Sequence, residues 1–172
     1  MKSLDKENIE IKVAKATDLE GILKLQFDNQ KSQGGALSGE LSLGQLKEMM
    51  QDMPQIVAIV NGQIVGFLLT TSAAVHKKRS VPILDAMLAA YAGHSDSYIY
   101  GPVCVSTAQR GKGLAQLMFK ELLDQEPDRE GILFIRNDNE ASLRAHEKMG
   151  IHQVSSFNFN EAEFNVFAYR FT

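Results

Sequence analysis

The segment Arg110-Gly111-Lys112-Gly113-Leu114-Ala115 constrains this chain most, because two glycines there join a strand pattern to a helix pattern. Ahead of it runs Tyr98-Ile-Tyr-Gly-Pro-Val-Cys-Val105, and behind it Leu114, Leu117, Met118 and Leu122 recur at helical spacing. The first amides of a helix have no acceptor inside it, and the helix dipole adds partial positive charge at the same end. Glycines let a phosphate approach the backbone without meeting a Cβ. Arg110 and Lys112 bring formal charge. The segment therefore reads as a cradle for a diphosphate.

Two common phosphate motifs do not fit. A P-loop needs G-x-x-x-x-G-K-S/T, but Ser106 stands where its first glycine belongs and Gly113 where its hydroxyl belongs. A dinucleotide fingerprint needs a third glycine, and Gln116 occupies that place. What does match is R/Q-x-x-G-x-G/A, as Arg110-x-x-Gly113-x-Ala115. A second block follows, Asn139-Glu-Ala-Ser142-Leu-Arg-Ala-His146-Glu147-Lys148-Met-Gly150-Ile151. With these two segments, in this order, the chain resembles the GNAT N-acetyltransferase superfamily. The first is its acetyl-CoA signature. The second is similar to its N-x-x-A-x-x-L-Y-E-K-x-G-F block, with Asn139, Glu147, Lys148 and Gly150 in register and Ser142, Ala145, His146 and Ile151 departing from it.

The resemblance implies one N-acetyltransferase domain over residues 1–172, with a flexible tail over 1–8 and an insertion over 73–97. The implied fold class is α/β (α+β), a mixed, mostly antiparallel sheet of about seven strands with helices on both faces. The implied reaction moves an acetyl group from acetyl-CoA to a primary amine by direct attack in a ternary complex, with no metal. Val103 and Val105 would meet the pantetheine through their backbones, in a gap where the strand over Tyr98–Val105 and the next one splay apart. Arg110, Gly111, Lys112, Gly113, Leu114 and Ala115 would hold the diphosphate. Asn139 and Ser142 would line the cofactor side of the last helix, and His146 shares their face. Many members carry there a tyrosine that protonates the leaving thiolate. An imidazolium can do the same, and a helix C-terminus favours that charged form. The same dipole also supports a histidine that only stabilises the helix.

The attacking amine must arrive neutral although its ordinary pKa is near ~10. The strand offers Tyr98, Tyr100 and Cys104 but no carboxylate, so the general base is unassigned. Water and backbone carbonyls, or a loop group such as Glu40, stay open. Cys104, within an apolar strand, reads as a core residue rather than a nucleophile. The basic run His76-Lys-Lys-Arg79 reads as a solvated loop face, with a contact to the CoA 3′-phosphate or an acidic acceptor as the alternative. The acceptor, a small molecule or a peptide, is expected against the glycine-rich stretch from Lys31 to Glu40, the insertion, and the turn near Asn160. The rival function is an acyl-CoA-binding sensor or partner module of the same fold with weak catalysis.

Composition narrows the remaining classes. With 172 residues, 44% hydrophobic and 23% charged, the chain can bury a proper core. A net charge of -3 and a single cysteine argue against a nucleic-acid module and a disulfide scaffold. No apolar run suits a membrane span, and a cytoplasmic location is expected. A homodimer is compatible with the resemblance.

Further elements follow from pattern. Ile9–Val13 alternates as a strand, and Thr17-Asp-Leu-Glu20 has the form of a capping box before a helix bearing Leu19, Ile22, Leu23 and Phe27. Ser42 and Gln45 suggest a second cap, and Pro54 a stop. Asn61-Gly62 between two apolar runs predicts a hairpin. A helix is expected from Pro82 to Tyr91, a bulge at Gly101-Pro102, and a last helix over Asn139–Met149 closed by Gly150.

Overall fold

A computed structural model describes residues 8–30 and 40–171. The expected tail over 1–8, except Asn8, and the expected loop over 31–40, except Glu40, lie outside the described residues. Among the described residues seven strands form one sheet, β1 (Ile9–Val13), β2 (Ile56–Val60), β3 (Gln63–Ser72), β4 (Tyr98–Val105), β5 (Gly131–Arg136), β6 (His152–Phe159) and β7 (Ala162–Tyr169). Their order is β1-β2-β3-β4-β5-β7-β6. The helices are α1 (Leu19–Asp28), α2 (Leu43–Asp52), α3 (Ala73–Arg79), α4 (Pro82–Ala90), α5 (Leu114–Gln125) and α6 (Glu140–Lys148).

The chain divides into two compact units. Of the described residues, one comprises 8–30, 40–69 and 102–125, the other 70–101 and 126–171. In the first, β1 runs antiparallel to β2, which runs antiparallel to β3 through a turn with Asn61 at φ 52° and Gly62 at φ 79°. Both central residues have positive φ, as a type I′ turn demands. Ser42 and Gln45 bond reciprocally at the start of α2, each side chain accepting the other's amide. The start of α1 differs from the capping box expected at Thr17. A 3-10 turn over Ala16–Asp18 precedes the helix, and Asp18 accepts the Lys15 amide at 2.8 Å and the Lys12 ammonium at 2.7 Å. Asp18 holds the N-cap position of α1, one residue later than Thr17, but its carboxylate turns back to Lys15 and makes no bond to the amides of the helix. α1 buries Leu19, Ile22 and Leu25, whereas Phe27 is exposed. α5 packs on β1 and β2 through Leu114, Met118, Phe119 and Leu122, and Leu117 is exposed.

In the second unit, β5 pairs antiparallel with β7 and β7 with β6. β4 pairs parallel with β5 through Tyr98–Gly131 and Ile99–Ile132, and the register stops there, although β5 continues to Arg136. Gly101 follows with φ 121°. Strand alternation sorts two faces. Ile99, Ile132 and Val166 pack beneath Met87 of α4, with Phe134 and Phe157 beside them. Tyr98, Tyr100 and Tyr169 occupy the other face, where α6 supplies His146.

The basic run expected in a loop is instead helical. α3 is capped by Ser72, whose hydroxyl accepts the Val75 amide at 3.3 Å, and His76 is buried against Asp85 at 2.8 Å. Proline at the first turn starts α4, as expected. The chain returning from α4 is held by Glu130, which accepts the Tyr91 hydroxyl at 2.7 Å and the His94 amide at 2.6 Å. Burial pushes the Glu130 carboxyl up, but those bonds outweigh it and hold its pKa below the ordinary value.

Gly131 lies directly under the Tyr169 ring, so a Cβ there would overlap the phenol. Gly131→Ala is therefore expected to destabilise the protein by about 1–3 kcal/mol through overpacking. Denaturant unfolding measures it, and an unchanged midpoint would mean that Tyr169 has room to move.

Candidate active site

β4 leaves the first unit's sheet at a pinned peptide. The Ser106 amide donates to the Val65 carbonyl at 2.8 Å, and Arg110 Nε donates to the Val105 carbonyl at 3.1 Å. A 3-10 turn over Thr107–Gln109 follows, closed by Gln109 N–H to Ser106 C=O at 3.0 Å and Arg110 N–H to Thr107 C=O at 3.4 Å. Gly111 and Gly113 then take φ 81° and 78°, a region costly to any residue with a Cβ. A Cβ at Gly111 would meet nothing within 4 Å, and one at Gly113 only Gln116 Oε1 at 4.0 Å. The space over both glycines is open. The first helical bond runs from the Leu117 amide to the Gly113 carbonyl at 3.1 Å, so the amides of Leu114, Ala115 and Gln116 have no partner within α5. Buried Leu114 anchors this helix start in the core.

The charged side chains of the turn have partners of their own. Arg110 donates through Nε to Val105 and through Nη2 to Asn29 Oδ1 at 3.1 Å. Lys112 Nζ donates to Gln109 Oε1 at 3.1 Å. Val103 and Val105 are half-buried on one side of β4, and Cys104 is buried on the other. Burial pushes the Cys104 thiol up to about 11, so it stays protonated near neutral pH, the opposite of what a nucleophile needs.

In the second unit the start of β4 carries a polar cluster within an otherwise apolar face. Tyr100 and His146 meet edge to face, with the Tyr100 hydroxyl 2.9 Å from His146 Nε2. His146 Nδ1 lies 2.7 Å from the Ser142 carbonyl and 3.3 Å from the Ser142 hydroxyl. A carbonyl can only accept, so Nδ1 carries the proton and Nε2 accepts from Tyr100. Tyr98 and Tyr169 share a second hydroxyl–hydroxyl bond of 2.6 Å. Burial raises the pKa of Tyr100, and that of Tyr98 to about 12, so both phenols keep their protons.

His146 is 3% exposed, and burial lowers its pKa, partly offset by its bond to Ser142. The helix dipole favours an imidazolium, but desolvation outweighs it here, and His146 is held neutral. Asn139 is exposed and caps α6, its Oδ1 accepting the Ser142 amide at 3.2 Å. Glu40 is exposed. Asn160 and Glu161 form the turn between β6 and β7 with φ 48° and 64°. Tyr100 went unassigned in the sequence, although its alternation with Tyr98 on a buried strand was the available signal. Asn29 had no signal at all.

The acetyltransferase (GNAT) family matches residues 24–151, a span that takes in both the turn and α6. The chain belongs to the GNAT acetyltransferase family. Solved structures agree in fold. An acetyltransferase of the family from Streptococcus pneumoniae superposes with a TM-score of 0.72 at 15% identity, over 96% of this chain and 100% of that one. A putative acetyltransferase from Salmonella typhimurium, solved with its cofactor acetyl-CoA, gives 0.68 at 17% identity over 95% and 94%. The ribosomal-protein-S18-alanine N-acetyltransferase from Escherichia coli gives 0.66 at 13% over 94% and 92%. No curated protein matches the sequence. This acetyltransferase thus has the family's sheet, and acetyl-CoA is the cosubstrate its family supports.

The state of His146 has a thermodynamic consequence. Its pKa is lower folded than unfolded, so between the two values the unfolded chain binds more protons. Its contribution is complete above the unfolded value near ~6.5 and is lost as pH falls below it, at up to ~1.4 kcal/mol per pH unit. His146→Gln should flatten that limb of a stability–pH curve measured by urea unfolding. An unchanged slope would contradict a buried neutral imidazole.

Proposed function

We propose that this acetyltransferase moves an acetyl group from acetyl-CoA to a primary amine, of a small molecule or a peptide, by direct attack in a ternary complex. The reading takes residues 1–172 as one catalytic domain with 73–97 inserted. The observation that carries it is the turn ahead of α5, where two positive-φ glycines with open space lead into helix amides that have no partner within the helix. Such an end neutralises a diphosphate by hydrogen bonding and dipole together.

In this scheme the backbone of Gly111 to Ala115 holds the diphosphate, and the backbones of Val103 and Val105 bond the pantetheine. Asn139 and Ser142 shape the start of α6 on the cofactor side. Acetyl-CoA supplies the activated thioester. The departing thiolate takes up the proton that the attacking amine loses, and in this scheme His146, whose Nε2 accepts the Tyr100 hydroxyl, holds that proton on its way to sulfur. Proton donation to such a leaving group is worth roughly 10²–10⁴-fold in rate.

Coenzyme A release, followed with a thiol reagent over a panel of primary amines, tests the reading. Turnover with at least one amine is expected. Gly113→Val should weaken acetyl-CoA binding by about tenfold or more, since the backbone then leaves the required φ. Tyr100→Phe and His146→Phe should each lower kcat with little change in acetyl-CoA affinity. Binding of acetyl-CoA without turnover on any amine would favour the sensor module instead.

A further inference from the structure

A guanidinium beside a phosphate cradle is ordinarily taken as a phosphate ligand. Here its side-on edge is already occupied. Nε and Nη2 form the edge best suited to gripping an anion with two parallel bonds. Nε is bonded to the Val105 carbonyl and Nη2 to Asn29 Oδ1, each at 3.1 Å. The acceptor is itself fixed. Asn29 is buried at the end of α1, and its Nδ2 donates to the Leu25 carbonyl at 2.9 Å, which sets the orientation of the amide and aims Oδ1 at the arginine. One turn earlier, Gln26 is buried and clamps Leu41 with two bonds, Nε2 to the Leu41 carbonyl at 2.9 Å and the Leu41 amide to Oε1 at 2.8 Å. The end of α1 is therefore a rigid abutment.

The second partner is equally informative. The Val105–Ser106 peptide is held on both sides, its carbonyl by Arg110 and its amide by the Val65 carbonyl. The arginine side chain thus closes a ring over residues 105–110, around the 3-10 turn and directly ahead of Gly111.

We infer that Arg110 is a positioning residue for acetyl-CoA binding: it braces the cofactor turn against Val105 and Asn29 and does not supply a charge to the diphosphate. This rests on the acetyl-CoA reading of the same turn. It assigns Asn29, on a helix far from the turn in sequence, a share in cofactor affinity. It also makes lysine a poor substitute for arginine here, although charge is conserved, because one ammonium cannot span two acceptors as the fork does.

The test measures acetyl-CoA affinity by calorimetry across a salt series for the wild type, Arg110→Lys, Arg110→Gln, Asn29→Ala and the Asn29→Ala/Arg110→Lys pair. Arg110→Lys and Asn29→Ala should each weaken binding by about tenfold. The pair should be little weaker than either alone, because both break the same brace. The slope of affinity against salt should match the wild type in Arg110→Gln, because no phosphate contact has been removed. Near-normal affinity in Arg110→Lys with a flatter salt slope in Arg110→Gln would overturn the inference and make Arg110 a charge ligand. Arg110 is exposed, so its variants stay informative even if Asn29→Ala folds poorly. Wild-type protein that fails to bind acetyl-CoA would bring down the parent reading and this one together. Normal wild-type binding with unaffected variants would bring down this one alone.

Discussion

The amides of Leu114, Ala115 and Gln116 have nothing to accept them inside their own helix, and the rest of the candidate site depends on that deficit. A helix start normally meets it with a capping side chain, as Ser42 does for α2 and Asn139 for α6. At α5 the residue before the helix is Gly113, which has no side chain to offer. The positive φ of Gly111 and Gly113 turns the chain so that the space over the turn stays open. What would be a fault in an ordinary helix is, on the proposed reading, the anion site.

On the proposed reading β4 contributes residues both to cofactor binding and to proton transfer. Its first residues, Tyr98 and Ile99, are registered to β5, and its last, Val105, ends at the braced turn. Gly101, between them, departs from ordinary strand geometry with φ 121°. Tyr100 stands just before this point and carries the hydroxyl that His146 holds. In the proposed scheme the cofactor would be met by Val103 and Val105, after the interruption, and the proton by the Tyr100–His146 pair, before it.

Much of this was legible in the sequence, and the exceptions share a cause. Asn61-Gly62, Ser42 with Gln45, Pro82 and Gly150 each act on their immediate neighbours, and the elements they bound lie within a residue or two of expectation. The glycine turn belongs to the same class. The misreadings are tertiary. The run His76 to Arg79 looked like a solvated loop, but burial of Val75 and His76 makes it α3. The partner that Arg110 takes, Asn29, lies 81 residues away, beyond the reach of any local pattern. The sequence left His146 open between an acid and a helix-stabilising group, because Tyr100, 46 residues away, belongs to the buried face that desolvates it. Pattern reads what a residue does to its neighbours, not which distant group will take its proton.

The most direct measurement is an amide-resolved NMR titration of the protein with acetyl-CoA and, in parallel, with acetyl-pantetheine, which lacks the diphosphate. The largest shifts from acetyl-CoA are expected at Gly111, Gly113, Leu114, Ala115 and Gln116, and they should be absent with acetyl-pantetheine. Acetyl-CoA binding that leaves those amides unmoved would contradict the proposed anion site.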